Sequence, residues 1–242
     1  MEWSEWQPIY LDIVQRLDLD TSKDREATAL LTRILEDTDP KILLDQLRGL
    51  IDGKSVVVCG AGPSLEQHVK QLKAENTNEN HVIVAADGAV SVLIEQDIVC
   101  DVVATDLDGN LEHLMEMTRR GAILIVHGHG DNIETMKSVV PELGEVLGST
   151  QVEPTHRTFL WGGFTDGDRA CHVVSEYKPK RIILAGMDFG RLVGQWSKPG
   201  HEGHFPASWR KRVKLEIAEE LISSLFERTG IEHLFLDSTE SG

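Results

Sequence analysis

The rhythm of apolar positions changes near residue 53. Before it, apolar residues recur at helical spacing: Ile9, Ile13, Val14 and Leu17 form one stripe, Leu30, Leu31, Ile34 and Leu35 a second, and Ile42, Leu43, Leu47 and Leu50 a third. Steps of three and four predict amphipathic helices. Asp39-Pro40 opens the third, with proline at an early helical position where its missing N–H is not needed. Beyond Lys54 the texture becomes short, continuous aliphatic runs: Ser55–Cys59, Val82–Ala86, Val102–Thr105, Ile123–His127, Thr158–Trp161, Arg181–Ala185 and His233–Leu236. Helical patterns separate most of them. The last and longest, about Ser208 to Arg228, carries Val213, Ile217, Leu221 and Leu225 on one face.

Buried strands alternating with helices predict an α/β fold, a mostly parallel Rossmann-like sheet with helices on both faces. The expected organisation is a helical N-terminal region over 1–52 and an α/β catalytic domain over 53–242. The stretch Arg191–Phe205, with Gly194, Pro199, Gly200 and Gly203, is expected to be a long loop able to act as a lid.

Composition narrows the partners. The chain has 242 residues, 24 basic and 40 acidic side chains and a formal charge of −16. That surface disfavours nucleic acid and anionic membranes, and an anionic substrate needs local cations to bind. No apolar run is long enough to span a membrane, and the acidic start, Met1-Glu2-Trp3-Ser4-Glu5, is unlike a signal peptide. Cys59, Cys100 and Cys171 are widely separated, without a CxxC pair. Reduced, buried thiols in a cytoplasmic protein are the expectation, and a thiolate zinc site is not. Trp3 and Trp6 are candidates for a homo-oligomer interface.

The chemistry is concentrated where strands end. Asp106 and Asp108, in Thr105-Asp106-Leu107-Asp108-Gly109, are two carboxylates one residue apart, suited to a hard divalent cation such as Mg²⁺. Asp87, Asp166, Asp168 and Asp188 also follow apolar runs, and strand ends on one edge of an open sheet converge on one crevice. Asp108 also suits a helix cap, the alternative to metal binding. In Cys59-Gly60-Ala61-Gly62-Pro63-Ser64-Leu65, Gly60 and Gly62 allow a ligand close to the backbone, free N–H groups there suit a phosphate, and Ser64 with Gln67 has capping-box spacing. Leu65 stands where the third glycine of a dinucleotide fingerprint belongs, and Gly49 to Lys54-Ser55 is one residue short of a P-loop. His127 and His129 are candidates for substrate or phosphate contact, Thr165 for the start of a helix that borders the site, and Lys211 and Lys214 for a clamp on phosphate oxygens. His201-Glu202-Gly203-His204 lacks the HExxH spacing of a metalloprotease.

The ordered set CGAGPSL, AADGA, TDLDG, HGHGDN, GFTDGDRA and GMDFG resembles the archaeal-type 6-hydroxymethyl-7,8-dihydropterin pyrophosphokinases, the MptE-like family, from about Lys54 onward. The order of acids is also similar to that of thiamine pyrophosphokinases. The resemblance implies Mg²⁺-dependent transfer of diphosphate from ATP to a pterin alcohol, in folate or methanopterin biosynthesis. It implies that Asp106 and Asp108 hold Mg²⁺, with Asp87 beside them. Thr165, Asp166 and Asp168 would border the ATP or pterin pocket, and Gly60, Gly62, Pro63 and Ser64 would wall the substrate. Either Asp87 or Asp166 would take the hydroxyl proton. The competing expectations are a thiamine pyrophosphokinase, a nucleotide-sugar transferase and a non-enzymatic nucleotide sensor. The absence of further strands after Leu236 counts against the first.

Overall fold

In a computed structural model, residues 1–75, 77–198 and 200–237 are described. Three helices come first, α1 (Trp3–Leu17), α2 (Thr21–Ile34) and α3 (Pro40–Ile51). Then follow β1 (Ser55–Cys59), α4 (Leu65–Ala74), α5 (Thr77–Asn80), β2 (Val82–Ala86), α6 (Ala89–Glu95), β3 (Val102–Thr105), α7 (Leu111–Arg119), β4 (Ile123–His127), α8 (Ile133–Val139), β5 (Leu147–Ser149) and β6 (Thr158–Phe159). The chain finishes with α9 (Asp166–Glu176), β7 (Arg181–Ala185), β8 (Leu192–Val193), β9 (Phe205–Pro206), α10 (Trp209–Thr229) and β10 (Glu232–Phe235).

Eight strands form one parallel sheet in the order β10-β7-β1-β2-β3-β4-β5-β6. Successive side chains of a strand point to opposite faces, and both faces of the inner strands are buried, while the edge strand β10 is exposed along its length. Val57, Cys59, Ile83, Ala85, Val103 and Val126 face a core shared with α2, α4, α6, α7 and α8. Val56, Val58, Val84, Ala104 and Leu184 face a core shared with α3, α9 and α10. This two-sided burial explains why the strands are runs of Val, Ile and Leu with no polar alternation.

The N-terminal helices are built into these layers. Ala27, Leu31 and Leu35 pack in the first core and Leu47 and Ile51 in the second. Trp6, Tyr10, Ile13 and Leu17 of α1 meet Val152, Leu160, Ile217 and Leu221 in a third. The buried stripe of α1 is therefore Trp6–Tyr10–Ile13–Leu17, and Ile9 lies outside it, as Ile42 does on α3. Trp6, a candidate for an interface, is instead fully buried in the chain's own core, and its Nε1 donates to the Gln151 carbonyl at 2.9 Å. The three cysteines are buried and free. Among the described residues, no helix is long and apolar enough to cross a membrane.

The segment expected to be a long, lid-like loop after β7 holds a small antiparallel pair, β8 with β9, and a 3₁₀ turn at Gln195–Ser197. Glu66 ties this flap down, accepting from Gln195 Nε2 and Trp196 Nε1 at 2.6 Å each. Gly194 lies so close to Ala61 and Gly62 that an added Cβ would come within 2.2 Å of the Ala61 carbonyl oxygen.

Candidate active site

The chain runs outward from β1 to β6 and returns to place β7 on the other side of β1. A crevice therefore opens beyond the carboxyl ends of the strands. A cavity of about 700 Å³ fills it, within the range of substrate pockets. One flank is Gly60–Gly62, Gly186–Phe189 and the flap, the centre is Asp106, Asp108 and Asp166, and the other flank is His127, His129, Gln151 and the α1–α2 corner.

Asp87, Asp106 and Asp108 each bring a carboxylate oxygen to within 4.8 Å of the others. The local chain explains the convergence. Leu107, between the latter two acids, is buried with φ at 67°, a left-handed conformation that a branched side chain adopts only where its surroundings enforce it. Thr105 donates to Asp87 Oδ2 at 2.5 Å and accepts from the Leu107 N–H at 2.8 Å. Gly109 donates its N–H to the same Asp87 oxygen at 3.2 Å. Asp87 Oδ1 is buried without a hydrogen-bond partner, so one face of this carboxylate lacks the partner that a buried charge requires. Asp108 is not the helix cap, because Asn110 accepts from the Glu112 and His113 N–H groups at the start of α7. Three clustered carboxylates, one with an orphaned buried oxygen, fit a hard divalent cation.

The charges in this cluster are mutually unfavourable. Burial, with Asp106 and Asp108 nearby, pushes the Asp87 carboxyl up to about 7. Burial and the neighbouring Asp106 raise Asp108. Burial would also raise Asp106, but the His129 contact outweighs it and the carboxyl is held below its usual range. The pair therefore keeps its charge on Asp106, whose Oδ2 is 3.2 Å from His129 Nε2. Asn132 fixes that pairing, donating to the Asp106 and His127 carbonyls at 2.7 Å each and accepting from the His129 N–H at 3.1 Å. Asp166 borders the same space, and burial together with Asp106 and Asp87 pushes it well above the carboxylate range.

Cations face the acids from the flap and from α10. Lys198 Nζ is 3.9 Å from Asp108 Oδ2. Lys211 Nζ contacts Ser197 Oγ at 3.4 Å, and Lys214 Nζ sits 5.8 Å above the Phe164 ring.

Most of the residues expected at the site line this cavity: Gly60, Gly62, Asp106, Asp108, His127, His129, Thr165, Asp166, Asp168, Asp188, Lys211 and Lys214. Asp87 lies just behind the lining, and Pro63 and Ser64 are outside it. In the turn after β1, three of the N–H groups that would suit a phosphate are already engaged. Gly60 and Gly62 donate to the carbonyls of Ala185 and Gly186, and the Ser64 N–H donates to Asp188 Oδ2 at 2.9 Å. The Ser64 hydroxyl also donates to Asp188, at 2.7 Å, and makes no helix cap. Gly60 and Gly62 are needed for the close approach of two loops, since a Cβ on Gly62 would lie 2.2 Å from Asp188 Oδ2. Asp168 is fully buried in the capping box of α9, where it accepts from the Phe164 and Thr165 N–H groups and from the Thr165 hydroxyl. Lys198, Asn132, Asp24, Gln151 and Arg169 also form the site. Arg169 sits beside the acids within GFTDGDRA. Asn132 closes the HGHGDN motif, whereas Lys198, Asp24 and Gln151 are brought in by tertiary packing and have no local motif.

The family description "6-hydroxymethylpterin diphosphokinase MptE-like" matches residues 26–193. Three curated relatives carry the name 6-hydroxymethyl-7,8-dihydropterin pyrophosphokinase. That from Methanocaldococcus jannaschii is 39% identical over 97% of this chain and 100% of its own. That from Pyrococcus furiosus is 43% identical over 93% and 94%. That from Methanothermobacter thermautotrophicus is 37% identical over 95% and 97%.

Proposed function

The chain belongs to the MptE-like 6-hydroxymethylpterin diphosphokinase family, and from that premise we propose that it transfers the diphosphate of ATP to 6-hydroxymethyl-7,8-dihydropterin, releasing AMP. The observation that carries this reading is the three-acid cluster of Asp87, Asp106 and Asp108 in a crevice that also holds Lys198, Lys211 and Lys214. Asp87, Asp106 and Asp108 would hold Mg²⁺, which when bound neutralises phosphate charge and polarises the reacting phosphoryl group.

The residues of the chain position the rest. The alcohol oxygen forms a bond to the β-phosphorus, and the bond from that phosphorus to the oxygen bridging it to the α-phosphorus breaks, leaving AMP. Lys198, Lys211 and Lys214 face the negative charge that grows on the phosphate oxygens. Asp166 stands outside the three-acid cluster and borders the same cavity, so it is the carboxylate left free of metal to act as general base. It accepts the hydroxyl proton. His129 and Asn132 hold Asp106 in place. The flap, pinned through Glu66, keeps water out of the β1–β7 flank.

The test is AMP release from ATP by the purified protein with Mg²⁺, with hydroxymethyldihydropterin or thiamine as the alcohol. The reading expects AMP with the pterin only, and none after EDTA. AMP with thiamine alone, or none with either, overturns it.

A further inference from the structure

We propose that the pterin ring is read at the flank beneath the α1–α2 corner, with Arg169 gripping its acceptor edge and His127 completing the contact. This rests on the diphosphate-transfer reading and adds where, and by what, the ring is held.

Arg169 lies in the first turn of α9, 1% exposed, and lines the cavity. Its Nη2 donates to the Phe164 carbonyl at 3.0 Å, but Nε and Nη1 have no partner. His127, 2% exposed, lines the same flank, with Nδ1 3.3 Å from Ser149 Oγ and Nε2 unpartnered. Asp166, Asp168, Asp106 and Asp24 balance the guanidinium's charge. Charge balance does not supply hydrogen bonds, and idle buried donors are costly unless a ligand or water completes them. Two such groups at one end of a substrate cavity mark a site whose polar partners arrive with the ligand.

The surroundings select a neutral ring over a phosphate. Asp18, Asp20, Asp24 and Asp131 line this flank, with Lys23, Arg169 itself and Arg210, whose Nη1 donates to the Leu17 carbonyl at 2.8 Å, as cations. The acids outnumber these cations, so the flank offers no net positive field to a triphosphate, whereas Lys198 and Lys211 interact with Asp108 at the centre. Burial and the adjacent Arg169 hold His127 well below its usual pKa, so it meets the ligand as a neutral imidazole. The floor is rigid. Asp24 accepts from Tyr10 Oη at 2.6 Å, Gln151 Nε2 at 2.8 Å and the Gly130 N–H at 2.8 Å.

A dihydropterin presents its 4-oxo group and N5 on one edge, two acceptors that match a guanidinium fork made by the second N–H of Nη2 with either Nε or Nη1. N5 is bonded to C6, which carries the hydroxymethyl group. Gripping that edge therefore brings the reacting oxygen towards Asp166, three residues before Arg169 and one turn away on α9.

The experiment measures binding of fluorescent 6-hydroxymethylpterin without ATP, and of a non-hydrolysable ATP analogue with Mg²⁺, for wild type, Arg169→Lys and His127→Ala. The expected result is pterin binding weakened roughly tenfold or more in both variants, with nucleotide binding changed less than about twofold. Unchanged pterin binding in a variant that melts like wild type overturns the ring assignment, as does a loss confined to the nucleotide. If Arg169→Lys does not fold, His127→Ala alone decides. A wild type that releases no AMP with hydroxymethyldihydropterin fails the underlying reading, a result separable from the binding of the ring.

Discussion

Replacing Asp87 with asparagine should stabilise the metal-free protein at neutral pH while removing its function. Asp87 is 3% exposed, and its carboxyl is pushed from 3.8 to about 7. A raised carboxyl pKa means that the folded chain holds a proton the unfolded chain has lost. The associated stability is fully present below about pH 4 and falls as pH rises through about 7. The shift is about three pK units at 1.36 kcal/mol each, or on the order of 4 kcal/mol at pH 8. Asparagine keeps an acceptor for Thr105 and Gly109 and offers N–H to the neighbouring carboxylates, without the charge. At about 2–4 °C per kcal/mol for a chain of this size, Asp87→Asn should melt up to roughly 8–16 °C above wild type at pH 8 in EDTA, and close to it at pH 4. Mg²⁺ at a hundred times its Kd should narrow the difference to roughly 1 kcal/mol, because it adds about 2.7 kcal/mol to the protein that binds it. The assay is thermal melting of both proteins from pH 4 to 8, with EDTA or Mg²⁺. An Asp87→Asn protein that melts below wild type at pH 8 in EDTA, with the same pH slope, refutes the reasoning.

Further substitutions probe the neighbouring parts. Asp106→Ala should keep the fold by circular dichroism and lose turnover on the order of a thousandfold, as several kcal/mol of charge stabilisation disappears at tenfold per 1.36 kcal/mol; full activity would sink the metal site. Gly109→Ala places a Cβ 2.0 Å from Asp87 Oδ1, so a loss of about 1–3 kcal/mol in a melt and weaker Mn²⁺ binding by paramagnetic resonance are expected. Glu66→Ala removes both anchors of the flap; hydrogen exchange over 200–206 should speed up and the KM for ATP should rise, and unchanged exchange would show that the flap is held by other contacts.

The sheet was legible where burial is two-sided. The runs at β1 to β4 and β7 are almost wholly aliphatic, and their limits match the strands observed. β5 escaped because Leu147-Gly148-Ser149 is three residues long with a glycine, and only pairing with β4 makes it a strand. The β8–β9 pair was hidden for the same reason. At the site, strand-end acids announce themselves locally, since a carboxylate at a strand exit carries its own signal. The N–H groups after β1 could not be assessed that way. Those of Gly60, Gly62 and Ser64 are occupied by Ala185, Gly186 and Asp188, more than a hundred residues away. Asp24 and Gln151 likewise meet only because α2 packs over the end of β5.

The most direct test follows the phosphorus. With ATP labelled at both the β- and γ-phosphorus, Mg²⁺ and 6-hydroxymethyl-7,8-dihydropterin, both labels should enter the pterin product, with one unlabelled AMP released for each. Only the γ-label in the product, with ADP as the co-product, would contradict diphosphate transfer.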